Sequence, residues 1–540
     1  MRPRDPGRVA SDTYDLLVVG GGIHGLTIAY EAAARGLRTA LVEAGDFGSA
    51  TSFNHQKTAH GGLRALQSMR VGRARAAVRE RRALARIAPW LLRPLPFIVG
   101  TYRSVVRNRL ALRAAFKLDS WIGRDRNEGL EPELHLPAAR LVSKAATLRL
   151  FPGVHRDKLT GGAQWYDYQM VESDRLTVAF AAAADRAGAD LANYVEAVGA
   201  IRDGNRIAGM TVRDRLTGEQ LEVRARVVVN AAGGMAGSVM RMLGVDRPLP
   251  LLKAMNLVTS KRASDIALAA PAADGRMLTL VPWYGRAIVG TSQSASTVEA
   301  QDTGVTKREV EAFIAQANEA FPALNLSMAD VTLVHRGVVP ATVRQGRAEL
   351  LGETPIFDHA GEGADGALTV PGTKYTTARS TAAKVVALAA RKLGRRAGRS
   401  RTASMTLPGA GIADHEALVI ETARGFGIEL PLPVIRHLTA RYGELAAEIV
   451  RLMGTEPRLR EPLAADRPSV AAEVVYVVRS EMAVRLSDIV IRRLGLGAAG
   501  HPGAPIVKSV AAIAASELGW DEAAVAAEIA DVDRFYVIAD

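Results

Sequence analysis

Residues 14–25 read Tyr-Asp-Leu-Leu-Val-Val-Gly-Gly-Gly-Ile-His-Gly, and this stretch decides how the rest of the chain is read. Tyr14 to Val19 is an apolar run of strand length. Apolar positions then recur at helical spacing through Ile23, Leu26, Ile28 and Ala32 until Gly36 ends them. A second strand-like run, Arg38 to Val42, follows at once, so the unit is strand, turn, helix, strand: a parallel βαβ. Gly20, Gly22 and Gly25 carry the G-x-G-x-x-G spacing, with Ile23 and His24 between the last two. Gly20 permits a tight turn, Gly22 lets the backbone approach a pyrophosphate, and Gly25 lets helix and strand pack closely. The helix N-terminus then faces the phosphate charge. Glu43, with Ala44 beside it, ends the second strand eighteen residues past Gly25, where an acid accepts hydrogen bonds from an adenosine ribose. A glycine turn with no ligand would need neither the helix start nor the acid.

The chain around this unit has 540 residues, beyond the ~250 to 300 at which single cores stop growing, so two or three domains are expected. A composition of 48% hydrophobic and 23% charged residues is that of a globular protein with ample core. The net charge of +13 raises the local concentration of anions, whether phosphorylated substrates or acidic head groups; a plain solubility charge is the alternative. No helix-turn-helix, zinc-finger or aromatic-basic pattern accompanies the basic residues, so nucleic acid is not an expected partner. The chain has no cysteine, which excludes disulfides, thiolate-bound zinc, iron–sulfur clusters and a thiolate-attached flavin, and no metal site is expected. Redox chemistry would have to come from a bound organic cofactor. Met1 to Tyr14 lacks the apolar core of a secretory signal, and no apolar run approaches the ~18 residues needed to cross a bilayer. A cytoplasmic protein is the simplest expectation.

Further along, Arg64 to Trp90 reads as a long basic helix closed by Arg93-Pro94-Leu95-Pro96-Phe97. An Ala-rich helix follows at Arg175 to Ala187, then a short strand near Asn193. Leu221 to Val229 is a strand that runs into Asn230-Ala231-Ala232-Gly233-Gly234. Arg247 to Arg344 alternates apolar runs with turns and reads as mostly sheet, a substrate-binding lid. Leu368 to Val370 is a strand that Pro371-Gly372-Thr373 turns into a helix from Tyr375 to about Leu393. After the basic linker Arg391 to Arg401 the pattern is almost entirely helical. The second strand-glycine-helix unit, at Gly372, separates FAD from NAD: another helix N-terminus suits a flavin, whose reduced ring carries negative charge, and NAD does not need it.

These motifs resemble the FAD-dependent glycerol-3-phosphate dehydrogenase family of the aerobic type, within the wider group of flavoprotein amine and hydroxy-acid oxidases. Asp46 to Ser52, with Lys57 and His60-Gly61-Gly62-Leu63-Arg64, is similar to that family's flavin loop. Asn230-Ala231-Ala232-Gly233 resembles its Asn-Ala-x-Gly strand end, and Pro282-Trp283 with Gly290-Thr291 its middle sheet. Gly372-Thr373-Lys374-Tyr375-Thr376-Thr377-Ala378-Arg379 is similar to its Gly-Gly-Lys-x-Thr-Thr-Tyr-Arg motif. Leu407-Pro408-Gly409, Tyr442-Gly443, Ala472 to Tyr476, Arg479, Glu481-Met482 and Asp488 resemble its C-terminal region.

The resemblance implies an α/β fold: an FAD-binding Rossmann-type domain of the glutathione-reductase and amino-acid-oxidase kind, an antiparallel-sheet substrate domain, and a C-terminal all-helical domain. The boundaries would be a discontinuous FAD domain over 1–400, with the sheet inserted at about 90–165 and 245–345, and a helical cap over 401–540. It implies hydride transfer from a carbinol carbon to flavin N5, with electrons passed on to an acceptor such as quinone or dioxygen. The implied flavin contacts add Ser49, Thr51, Ser52, Lys57, His60, Gly61, Gly62, Leu63, Ala231, Gly233, Gly372, Thr373, Lys374, Thr376 and Thr377 to the fingerprint residues. Lys374 would polarise a substrate or flavin oxygen, and His60 would touch the ring or shuttle a proton. The basic helices over 64–86 and 103–117 admit peripheral contact with an anionic membrane on the cytoplasmic face of the inner membrane, with a solvated face as the alternative. A homodimer is compatible with all of this.

The departures from the family fall where it holds its substrate. Val339, in Gly337-Val338-Val339-Pro340, replaces a phosphate-binding arginine, and Gly352 aligns with a second. Asn256 stands for a histidine, Ala65 for a tyrosine and Gln293 for an acid. Valine cannot offer the planar fork of donors that matches phosphate. Arg336, beside the gap, is the candidate replacement, and Arg344 and Arg347 read as a solvated basic loop. Three readings follow: oxidation of glycerol 3-phosphate or a related polyol phosphate, oxidation of a different small hydroxy or amino substrate by the same fold, and a flavin-binding scaffold without turnover, against which Lys374 argues.

Overall fold

The computed structural model describes residues 1–61, 71–103, 109–411 and 414–540. The apolar run at the start is the central strand of an eight-stranded sheet. Its strands are β1 (Thr13–Val19), β2 (Thr39–Val42), β7 (Asp190–Ala192), β8 (Val195–Asp203), β9 (Arg206–Asp214), β10 (Gln220–Asn230), β17 (Phe357–Asp358) and β18 (Ala367–Thr369). The order β17-β18-β10-β1-β2-β7 is parallel from β18 to β7, while β8 and β9 form a hairpin that pairs with the early half of β10. β1 is buried along its length after Thr13, because long helices cover one face of the sheet and the β8–β9 hairpin, with short helices at Pro6–Ala10 and Ala236–Met242, covers the other. The fingerprint helix Ile23–Ala34 packs against helices Ser173–Arg186 and Ala378–Lys392, the second being the expected return of the chain to the first domain.

The second sheet has ten strands: β3 (Thr58–Ala59), β4 (Leu92–Tyr102), β5 (Arg140–Val142), β6 (Leu159–Met170), β11 (Leu251–Thr259), β12 (Ala267–Pro271), β13 (Met277–Trp283), β14 (Arg286–Gln293), β15 (Val331–Arg344) and β16 (Arg347–Leu350). Most of its pairs are antiparallel, in the order β16-β15-β11-β14-β13-β12-β4-β6-β3. Here the structure corrects the reading of Pro94 and Pro96 as a closing stretch: both lie inside β4, paired along β6. They are tolerated because β12 joins β4 only at Phe97–Val99, beyond both prolines. A helix, Lys307–Ala320, interrupts the middle region read as sheet. It opens on a capping box, Thr306 with Glu309, and buries Val310, Phe313, Ile314 and Ala317 against that sheet.

Of the long basic helix expected from Arg64, Val71–Ile87 is described; Gly62, Leu63, Arg64 and Ala65 lie outside the described residues. The return helix begins at Ala378, three residues later than the pattern suggested. Beyond the basic linker the chain folds as helices around Leu438, Ile449, Val474, Ile489 and Val507, a core continuous with Val258, Ile288 and Leu333 of the second sheet. Among the described residues no helix is long and apolar enough to cross a membrane.

Candidate cofactor and active site

The loops at the C-terminal ends of β1, β2, β10 and β18 meet at one edge of the parallel sheet, the side on which this architecture places its ligands. Gly20 has φ of 108°, and a Cβ there would lie 2.7 Å from the Ala231 carbonyl oxygen. A Cβ on Gly25 would lie 1.7 Å from the Gly20 oxygen, so helix and turn touch through backbone alone. Gly22, at the N-cap, has no side chain of its own to bond the first amides, and the first turn carries no acid. The helix thus opens on a positive dipole that no charge of its own first turn neutralises, as a pyrophosphate site requires. Ile23 N donates to Ser52 Oγ (2.9 Å) and Gly48 N to the Gly21 carbonyl (3.0 Å), which folds the loop from Asp46 to Ser52 over the turn. The Glu43 carboxylate accepts from Gly21 N (2.5 Å) and Gly45 N (2.7 Å); loss of water contact pushes its carboxyl up, against the pull of those amides. Ala231 N bonds the Val19 carbonyl (2.8 Å), and Gly233 adopts φ of 57° just beyond.

The return segment closes the other side. A Cβ on Gly372 would lie 2.4 Å from His24 Nδ1, so only glycine lets the segment pass that ring. Thr373 bonds Thr354 through its amide and hydroxyl, Thr376 is buried, and Lys374 is exposed on the turn before the return helix. The residues read as cofactor contacts from Gly20 to Ser52, at Ala231 and Gly233, and at Gly372 therefore lie together at one edge of the parallel sheet. The backbone cradle and the Glu43 carboxylate fit an adenine dinucleotide.

His24 is buried, its Nε2 meets no partner among the described residues, and burial lowers its pKa to about 4. The folded state therefore binds its proton later than the unfolded chain does. Stability is whole above pH 6.5 and is lost as pH falls toward 4, by about 3 kcal/mol from this ring. His55 and His335, both held far below the usual histidine range by burial and by the charge of Lys57, add in the same direction. Denaturant titrations at pH 7 and pH 4.5 measure this loss, and His24→Leu should remove its share of the difference.

The loop from Phe53 to Gly61 joins the two sheets. Lys57 is fully buried, and its ammonium donates to the Phe53 carbonyl (2.6 Å), lies 3.8 Å from Asp174 and sits over the Phe53 and Trp283 rings. Its charge is committed inside the protein, so it shapes the loop rather than reaching into the cleft. His60 is 52% exposed; Nε2 pairs with Thr58 Oγ1 (2.8 Å) and Nδ1 faces Asp167 (3.5 Å). Asp167 also accepts from Gly61 N (2.6 Å) and from Arg81. Burial pushes its carboxyl up, yet His60, Arg81 and the Gly61 amide outweigh that and hold it below the usual range. Thr51 Oγ1 reaches the Val338 carbonyl (3.3 Å), and a Cβ on Gly337 would lie 3.2 Å from that hydroxyl, so β15 runs beside the loop.

Asn256 is buried on β11 opposite Gly290, its Oδ1 accepting from Thr291 Oγ1 (2.8 Å). Gln56 and Thr279 bond each other alongside (2.6 Å), giving an uncharged polar cluster where the resemblance implies a histidine. Arg336 does not stand in for Val339: three residues apart on β15, the two lie on opposite faces, and the Arg336 guanidinium reaches toward the Val537 carbonyl (3.4 Å). Burial lowers its pKa. Gly352, Arg344 and Arg347 are exposed, the two arginines on the β15–β16 hairpin.

Sequence reading missed the charges beneath the loop from Asp46 to Ser52. Asp46 is fully desolvated and accepts from Arg493 (2.8 and 2.7 Å) and Arg492 (2.6 Å). Arg492 also binds Asp488, which Tyr194 holds at 2.7 Å, and Glu481 pairs with Arg175 (2.5 and 2.7 Å) and approaches Arg493 (3.7 Å). Burial pushes the Asp46 carboxyl up, but the two guanidinium charges hold it below the usual range. Two arginines in the apolar run Ile489-Val490-Ile491-Arg492-Arg493-Leu494 were the available signal.

Residues 15–380 match the family model described as FAD dependent oxidoreductase, and residues 400–525 match the C-terminal domain of alpha-glycerophosphate oxidase. The chain is 30% identical over 532 residues to glycerol-3-phosphate dehydrogenase 2 of Mycobacterium tuberculosis, covering 97% of this chain and 88% of that one. It is 29% identical over 506 residues to a glycerol-3-phosphate dehydrogenase of Synechocystis sp., covering 90% of each. Among solved structures, the glycerol-3-phosphate dehydrogenase of Bacillus halodurans complexed with FAD superposes with a TM-score of 0.77 at 24% identity, over 99% of this chain and 96% of that one.

Proposed function

The chain belongs to the FAD-dependent oxidoreductases of the glycerol-3-phosphate dehydrogenase family, and from that premise we propose that it oxidises glycerol 3-phosphate, or a closely related polyol phosphate, at its secondary hydroxyl. When bound, FAD supplies the acceptor for the hydride that leaves the carbinol carbon. The Gly20 to Gly25 turn would hold the pyrophosphate, Glu43 the adenosine ribose, and the Asp46 to Ser52 loop with Gly372 to Thr377 the ring end. The observation that carries this reading is the meeting of these segments at one sheet edge, with Gly372 against His24 and Lys374 at the exposed turn beside it.

Lys374 places a cation where the alcohol oxygen gains negative charge as its proton and hydride depart. His60, whose Nδ1 faces Asp167 and whose Nε2 bonds Thr58 Oγ1, is the titratable group of this loop that would take that proton once Nε2 leaves Thr58. The net charge of +13 favours capture of an anionic substrate. Electrons would pass to quinone or dioxygen, in the cytoplasm, with the basic helix Val71–Ile87 available for peripheral membrane contact and a homodimer as the working assembly.

A second reading keeps the flavin and changes the substrate to a non-phosphorylated hydroxy or amino compound; Val339, exposed Gly352 and the uncharged Asn256 cluster favour it. One experiment separates the two. Anaerobic addition of glycerol 3-phosphate should bleach the flavin band of the holoenzyme, and Lys374→Ala should slow bleaching about a hundredfold or more while FAD stays bound. Bleaching only by non-phosphorylated compounds would transfer the assignment to the second reading, and no bleaching by either class would refute turnover.

A further inference from the structure

β3 and β6 pair antiparallel, Thr58 opposite Gln169 and Ala59 opposite Tyr168, so the register carries the next residue, His60, to Asp167. Asp167 is 4% exposed and collects donors from several elements. Its Oδ1 accepts from Gly61 N (2.6 Å) and from Arg81 on the helix Val71–Ile87. Its Oδ2 accepts from Trp165 Nε1 (3.2 Å) and faces His60 Nδ1 (3.5 Å). Only glycine fits at position 61, since a Cβ there would lie 2.1 Å from the Arg81 guanidinium. Trp165 stacks on Phe97, with ring centroids 5.2 Å apart, and Phe97 in turn lies 6.2 Å from the His60 ring. Both neighbours of the carboxylate are thereby held in place.

An ionised carboxylate only accepts, so a hydrogen must sit on the imidazole nitrogen that faces it, Nδ1. Asp167 stays ionised: burial pushes its carboxyl up, but His60, Arg81 and the Gly61 amide hold it below the usual range. In the neutral ring Nε2 then keeps its lone pair and accepts from the Thr58 hydroxyl (2.8 Å). The His60 side chain is 52% exposed, which lets a substrate hydroxyl displace that of Thr58. The 3.5 Å approach at Nδ1 is the long form that such pairs take before substrate tightens them.

We propose that Asp167 is a positioning residue for the reaction, holding His60 with Nδ1 protonated so that Nε2 is the base. The carbinol O–H proton passes to Nε2 as the carbon gives up its hydride. The identity of that proton rests on the functional reading above; the tautomer does not. Asp167→Asn isolates the effect. Its amide oxygen still serves Gly61 N and Arg81, while its NH2 turns to His60 at the expense of the Trp165 bond. Nδ1 becomes the acceptor, Nε2 carries the hydrogen, and the base is lost.

Two measurements on the FAD-loaded enzyme test this. Diethyl pyrocarbonate acylates a histidine nitrogen that bears a lone pair, and peptide mass spectrometry reads the rate at His60 against exposed His135 and His155 as internal standards. His60 should react about tenfold more slowly in Asp167→Asn, and about fivefold faster in Thr58→Val, which frees Nε2 of the hydroxyl. The second measurement is anaerobic flavin reduction by glycerol 3-phosphate. Its limiting rate should fall about a hundredfold or more in Asp167→Asn with the half-saturating concentration unchanged, and the same substitution made in His60→Ala should add no further loss. A carboxylate that only braced the loop would slow reduction in both backgrounds. Equal labelling of His60 in Asp167→Asn and the parent, or a further rate loss in His60→Ala, overturns the proposal. Should glycerol 3-phosphate not reduce the parent, the functional reading fails while the labelling rates still decide the tautomer. If Asp167→Asn does not fold, Thr58→Val serves, and labelling no faster than the parent's overturns the assignment of the lone pair to Nε2.

Discussion

Gly25→Ala should yield a protein that purifies without its yellow colour. The new Cβ would lie 1.7 Å from the Gly20 carbonyl oxygen and 2.9 Å from its carbon, and both are backbone atoms with no rotamer to give way. Alanine normally gains about 1 kcal/mol over glycine inside a helix. Here the clash opposes it by far more, because relief requires the helix to slide off the turn proposed to hold the pyrophosphate. A loss above about 4 kcal/mol is expected, in the range reached only by strain and core disruption. The flavin-to-protein absorbance ratio and a denaturation curve measure it. Gly237→Ala is the control: it lies in a short helix with only the flexible end of Arg241 within 4 Å, so it should keep the flavin and leave stability equal or slightly higher. Normal flavin content in Gly25→Ala would mean that the turn does not hold the cofactor.

The second large effect is expected at a residue on no cofactor contact list. Arg493→Met leaves Asp46 fully buried with Arg492 alone, and Arg492 is already shared with Asp488. Removing one partner of such a cluster costs about 3–5 kcal/mol, because a charge stays in the interior without compensation. The consequence should be functional as well, since Asp46 begins the loop whose Ser52 caps the fingerprint helix: FAD should dissociate faster from Arg493→Met than from the parent. Combining it with Asp46→Asn removes the stranded charge, so the double variant should be less destabilised than the sum of the two single changes. Strict additivity in that cycle would show that the ion cluster does not couple the helical domain to the loop.

How much was legible in advance follows from the range of the interactions. The βαβ unit, Glu43 and the return segment were readable because each is written in a local pattern: alternating strand and helix spacing, glycines where backbone must touch backbone, an acid at a strand end. The helical C-terminal region was readable for the same reason. Local pattern misled at Pro94 and Pro96, where what makes a strand tolerable is that β12 starts pairing only at Phe97. It also passed over the β8–β9 hairpin, between the strand near Asn193 and the one from Leu221, and the helix at Lys307–Ala320, an amphipathic segment inside a region whose average character is sheet. Arg336 looked like a substitute for a missing arginine because it is near Val339 in the chain, but strand alternation turns the two side chains to opposite faces.

The amino-acid order alone thus determined the glycine turn at the head of a parallel sheet and the acid after the next strand, the site proposed for the adenine dinucleotide, since both are written in a dozen consecutive residues and one soon after. Tertiary structure alone decided that Lys57 is spent inside the protein, that Asn256 is enclosed by Thr291 and Gly290, and that Asp46 is locked to Arg493 across 447 residues of chain. Charges buried together leave no periodic trace, because their partners are chosen by the packing of domains and not by neighbours in sequence.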